Sequence, residues 1–88
     1  MEKRKLTLEL IEALYANDMM WMILGSLISA DILITKEDYE NSIEILNDLV
    51  ELIPNTNIPE ESKEKYLEKA IQANELVKKE YEEFLTNI

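Results

Sequence analysis

NDMMWMILGSLIS, residues 17–29, sets three methionines and the chain's single tryptophan side by side at Met19, Met20, Trp21 and Met22. Successive residues of a helix turn by about 100°, so these four point to different sides, and each side needs cover. Just upstream, Leu10, Ile11, Leu14 and Tyr15 cluster on one side of a helical wheel, with Glu9, Glu12 and Ala16 opposite. From Met19 to Ala30 the arrangement reverses. Met22, Gly25, Ser26 and Ser29 take the side that was apolar, and Met20, Ile23, Leu24 and Leu27 take the other. The apolar face thus jumps by about half a turn at Asn17-Asp18.

Two architectures answer that jump. Asn and Asp are favoured N-cap residues, so the chain can break there, giving helices over 7–16 and 18–32. Alternatively the two segments form one continuous helix whose faces are buried against different neighbours, which in a chain of 88 residues calls for a second copy.

Downstream the periodicity is plainer. Thr35-Lys36-Glu37-Asp38 offers an N-cap hydroxyl and early carboxylates, close to a capping box. Tyr39, Ile43, Leu46, Val50 and Ile53 then recur at spacings of three and four, widened by Ile45, Leu49 and Leu52. Pro54 and the polar Asn55-Thr56-Asn57 end the run. The spacing predicts a helix over 36–53. Pro59 with Glu60, Glu61 and Glu64 suits a helix start, and Tyr66, Ala70, Ala73, Val77, Tyr81, Phe84 and Ile88 mark one apolar face of a helix over 59–86. Glu61–Lys65, Glu75–Lys79, Lys78–Glu82 and Lys79–Glu83 are opposite charges four apart, spaced to support that helix. The expected fold is all-α, a compact bundle of three or four helices in a single domain, 1–88.

Composition excludes several chemistries. There is no cysteine and no histidine, so disulfides, thiolate catalysis and histidine general bases are out, and no metal site or cofactor is expected. The single glycine lies inside an apolar run, so there is no glycine-rich phosphate loop. The basic start MEKRK is followed by an apolar segment broken by Glu9 and Glu12, unlike a signal peptide. The longest uncharged run is the twelve residues from Met19 to Ala30, where a bilayer span needs about 20. A cytoplasmic protein without membrane contact is the simplest expectation.

Net charge is −10. Residues 6–62 hold twelve acids against one base, Lys36. Such a chain repels phosphates, so no direct nucleic-acid binding is expected; its partners are basic surfaces or apolar patches on other proteins. On the 36–53 helix, Glu37, Glu40, Glu44, Asp48 and Glu51 fall within an arc of about 80°, as a row about 21 Å long with no base in it. Like charges four apart cost a few tenths of a kcal/mol each. The row reads either as a solvated face or as a partner-binding acidic face that occupies a basic site, its carboxylates standing in for phosphates. Glu9 and Glu12 are candidate additions. The apolar residues Met19, Met20, Trp21, Met22, Ile23 and Leu27 read either as core or as an interface, in which case the protein is a self-associating assembly subunit, a homodimer.

Glu60-Glu61-Ser62-Lys63-Glu64 resembles the E-E-x-x-E opening of all-helical, magnesium-dependent nucleotide pyrophosphohydrolases. Their pattern continues with E-x-x-D, whose nearest counterpart here, Glu80-Tyr81-Glu82-Glu83, departs at its last position. Acids beside a proline at a helix start are also expected for capping alone. Ser26, Ser29, Ser42 and Ser62 have no histidine to activate them. Size, acidity and helical content resemble, in composition only, the small immunity and phage anti-defence proteins that block nucleases. The leading expectation is a non-catalytic protein that acts by protein binding, as a stoichiometric inhibitor or regulator.

Overall fold

A computed structural model describes residues 6–28 and 33–87. The described residues form four α-helices, α1 (Leu8–Ala16), α2 (Met20–Leu27), α3 (Lys36–Leu52) and α4 (Glu60–Thr86), with a 3-10 turn at Ile53–Asn55 between the last two. No strand occurs among the described residues.

The break at Asn17 is real, and its chemistry differs from the N-cap expected there. Asn17 closes α1 as its C-cap, with its backbone N–H and its Nδ2 both donating to the Ala13 carbonyl, at 3.0 and 2.8 Å. Asp18 follows in the left-handed region at φ 61°. Its N–H donates to the Tyr15 carbonyl at 3.0 Å, and the Met19 N–H reaches back to the Leu14 carbonyl at 2.8 Å. That paired reach-back is the Schellman ending, with Asp where Gly is usual; a short polar side chain is among the few that tolerate this backbone. A single continuous helix is therefore excluded, and α2 begins at Met20, behind Met19 as an N-cap that makes no side-chain hydrogen bond. The helix expected over 18–32 is also shorter, ending at Leu27. The expectations for Ser29 to Ile32 and for Ile88 lie outside the described residues.

The other starts follow their local chemistry. Thr7 Oγ1 caps α1 by accepting from the Leu10 N–H at 3.1 Å. At α3 the capping box is complete, with Thr35 Oγ1 accepting from Asp38 N–H and Asp38 Oδ2 accepting from Thr35 N–H. Asp38 also takes the Ile34 N–H. These backbone donors hold its carboxyl below the ordinary aspartate value.

α3 and α4 form an antiparallel pair. Asn74 Nδ2 donates to Asn47 Oδ1 at 2.7 Å, and seven residues farther along α4 Tyr81 Oη donates to Glu40 Oε2, seven residues back on α3. Seven residues are about two turns, so these two bonds fix the register. Tyr39 stacks on Tyr81 and leans on Phe84, with ring centroids 5.5 and 5.0 Å apart. Leu46, Leu49 and Ile53 of the first arm meet Tyr66, Ala70, Ala73 and Val77 of the second in one core, joined by Ile11, Met20, Leu24, Leu33 and Ile58. Fully burying one such leucine is worth about 1.5–3 kcal/mol.

On α4 the ion pair that forms is Lys63 with Glu60, three apart at 3.6 Å. The four pairs spaced four apart stand instead as solvated charges on an exposed face. Lys63 Nζ also donates to the Pro54 carbonyl at 3.3 Å.

α1 and α2 pack across this hairpin. Tyr66 of α4 sits edge-on to Tyr15 of α1 and tilted against Trp21 of α2, with centroids 5.9 and 5.1 Å away. Burial, then the charge of Asp18 and the neighbouring Tyr15, push the Tyr66 phenol above its usual range. Ser42 of α3, buried, donates its hydroxyl to the Leu27 carbonyl at 2.6 Å, answering one acceptor left open at the end of α2.

Candidate functional site

The acidic row of α3 faces outward. Glu37, Glu40, Glu44 and Glu51 are exposed, and Asp48 is half-buried. The amphipathic period that sinks Leu46 and Leu49 into the core turns these carboxylates away from it. The row is not uniform, however. Glu40 accepts the Tyr81 hydroxyl at 2.7 Å, so it is tied to α4. That bond, then desolvation and the charge of Glu40, raise the Tyr81 phenol above its ordinary value. Glu37, Glu40 and Glu44 border a shallow cleft of about 470 Å³ beside α4, completed by Asn41, Asn47 and Tyr81. Asp48 carries less of the outer face than its spacing suggests.

Of the two candidate additions, Glu9 is exposed, but Glu12 is half-buried and otherwise engaged. Its Oε2 accepts the Asn57 N–H at 2.8 Å, pinning the loop before α4 to α1. That contact spans 45 residues, so nothing in the local pattern around Glu12 announces it.

The apolar candidates divide. Met20 is 1% exposed and belongs to the core, so it makes no interface. Met19, Ile23 and Leu27 are half-buried. Trp21 and Met22 remain 45% and 56% exposed, and with Gly25 and Ser26 they form the outer face of α2. Leu10, placed by its spacing on the apolar side of α1, is also largely exposed. Beside Gly25 a groove of about 330 Å³ opens between α2 and α4, walled by Trp21, Leu24 and Ile28 on one side and by Lys69, Gln72 and Leu76 on the other. Gly25 and Leu76 are residues of this surface that the candidate interface omitted. The spacing of Gly25 four residues after Trp21 was the available signal.

The two surfaces lie on different flanks of α4. At 100° per residue, Lys69, Gln72 and Leu76 sit roughly 150° around the helix from Asn74 and Tyr81.

The carboxylates of the pyrophosphohydrolase-like pattern do not converge. Glu60 and Glu80 are at opposite ends of one helix, about 30 Å apart at 1.5 Å per residue, whereas a magnesium site gathers its ligands around one ion. Among the described residues no group of three or more His, Cys, Asp or Glu is placed to hold a metal ion, and no helix is long and apolar enough to cross a membrane.

Comparison of the chain with protein-family models, curated proteins and solved structures finds no match. Its surfaces are therefore read from their own chemistry.

Proposed function

We propose that this chain is a non-catalytic binding protein that docks the acidic face of α3 on a basic surface of another protein, as a stoichiometric inhibitor or regulator. The observation that supports it is the outward row of Glu37, Glu40, Glu44 and Glu51 on a helix capped at its start and registered against α4. Fixed spacing matters because carboxylates held on a rigid helix present a patterned field, which steers encounter and discriminates among partners. A basic site that ordinarily takes nucleic-acid phosphates offers the complementary charge. The same acidity speeds capture at low salt and weakens as the Debye length shrinks from about 10 Å at 0.1 M to about 3 Å at 1 M.

The test compares wild-type bait with Glu37→Lys/Glu44→Lys/Glu51→Lys bait in pull-downs from the native host, at low and high salt. Glu40 is left intact because its bond to Tyr81 belongs to the fold. A basic protein should be retained by the wild type at low salt and lost both at high salt and with the triple variant, whose helical circular dichroism is unchanged. Equal retention by both baits at low salt removes the acidic face from the reading.

A further inference from the structure

We infer that the groove between α2 and α4 binds a small amphipathic anion, a free aliphatic carboxylate that sets its head against Lys69 and lays its alkyl tail along the groove toward Leu76.

Charge is the first argument. Of the five lysines on α4, Lys69 alone has no Asp or Glu three or four residues away; Lys65, Tyr66, Gln72 and Ala73 hold those places. Among the described residues Lys69 enters no ion pair and no hydrogen bond. The facing wall, α2, carries no charge. In a chain of net charge −10, this cation is matched neither by its own helix nor by the wall opposite.

The groove also has a direction. At one end of α2, Trp21 packs on Tyr66, one turn before Lys69. At the other end, the Leu27 carbonyl accepts from Ser42, which lies on α3 between the Glu40–Tyr81 and Asn47–Asn74 bonds. Leu27 is therefore level with the part of α4 between Asn74 and Tyr81, and α2 runs along α4 in the same sense. The ammonium stands at the Trp21 end, and Ile28 and Leu76 form the apolar end. From Lys69 to Leu76 the helix rises about 10 Å, the reach of a medium-length alkyl chain.

Gly25 keeps that path open. Glycine destabilises a helix interior relative to alanine. Here neither a positive φ nor a close neighbour calls for it, since a Cβ at Gly25 would meet nothing within 4 Å. The space a side chain would fill belongs to the groove.

Size selects the occupant. The groove's volume of about 330 Å³ is at the small end of the roughly 300–1,000 Å³ found for small-molecule sites, which are likewise mostly apolar with few polar groups. A docked acidic protein needs about 800 Å² on each side and brings its acids against a chain of net charge −10. A free carboxylate brings one negative charge, directly to Lys69. Gln72 can donate to its second oxygen, and the tail covers the exposed parts of Trp21 and Leu76.

The test titrates the full chain with decanoate and with decanol, each kept below the concentration at which it aggregates. Trp21 is the single tryptophan, so its emission reports the groove, and calorimetry gives the stoichiometry. Decanoate should bind saturably, one per chain, with a blue shift of Trp21. Lys69→Met should weaken decanoate roughly two- to five-fold, the worth of a solvent-accessible ion pair, and leave decanol unweakened. Gly25→Leu fills open space, so it should keep the helical circular dichroism and abolish saturable binding of both. The inference is overturned if decanoate does not saturate, or if either variant leaves its affinity unchanged. Decanol binding without decanoate would assign the groove a neutral ligand, and a blue shift with protein concentration alone would assign it a second copy; each also overturns the anion. Neither variant touches Glu37, Glu44 or Glu51, so failure here and failure of the Proposed function are read separately.

Discussion

The α3–α4 hairpin and the α1–α2 pair are both helical and both apolar on one side, yet they are stabilised differently. α3 and α4 run 17 and 27 residues, and the pair begins with a full capping box and is registered by two cross-helix hydrogen bonds. α1 and α2 run only nine and eight residues, below the roughly 12–15 at which an isolated helix is even marginal in water. They persist because Ile11, Met20 and Leu24 sink into the core and because Ser42 and Tyr66 hold them from across the hairpin. They leave apolar side chains uncovered, Trp21 and Met22 foremost, and α4 adds exposed Leu76 to the same groove. The longer pair displays the carboxylate row of α3, on the other flank of α4 from that apolar surface.

The contrast can be broken most severely at Leu46. Leu46→Ala empties part of the core that both halves share and should cost about 2–5 kcal/mol, read as a lower denaturation midpoint by circular dichroism. The control is Met22→Ala on the exposed side of α2, expected to stay within about 0.5 kcal/mol. Equal losses at the two positions would mean that α2 is covered as fully as α3.

The link between the halves is sharpened next. Ser42→Ala removes the hydroxyl that serves the Leu27 carbonyl and should cost about 1–3 kcal/mol, the range for stranding a buried polar partner. Amide exchange in α2 should rise more than in α4; a uniform rise would show that the two halves open together.

The smallest effect is at the turn that creates the shorter half. Asp18 holds φ 61°, which costs an L-residue about 1–2 kcal/mol and a short polar one less. Asp18→Gly should therefore stabilise by a few tenths to about 1 kcal/mol, offset in part by the entropy of an unfolded glycine. It also removes a negative charge felt by Tyr66, so that phenol should titrate lower in a spectrophotometric titration. A destabilised variant would assign Asp18 a contact beyond its backbone role.

Much of the architecture was legible from local chemistry. The Thr35 cap, the spacing from Tyr39 to Ile53 and the run from Tyr66 to Phe84 mark α3 and α4 to within a residue or so, because long amphipathic helices announce their buried face by period alone. The reversal of the wheel at Asn17-Asp18 located the break, but its mechanism escaped: Asn17 and Asp18 end a helix by backbone reach-back, and their side-chain types fit a start equally well. Of the candidate surfaces, the outward turn of Glu37, Glu44 and Glu51 follows from spacing. The roles of Glu12 on Asn57 and of Glu40 on Tyr81 do not, since each joins residues more than 40 positions apart.

By itself, the sequence determined the helical class, the acidic outer face of α3 and the place where the chain must turn, because period, capping chemistry and charge spacing act within a few residues. Tertiary structure alone decided which of Met19, Met20, Trp21 and Met22 would be covered. Four adjacent apolar residues on one short helix have equal local claims to burial. Only the position of α4 and α3 beneath α2 settled that Met20 goes inward while Trp21 and Met22 stay half in water.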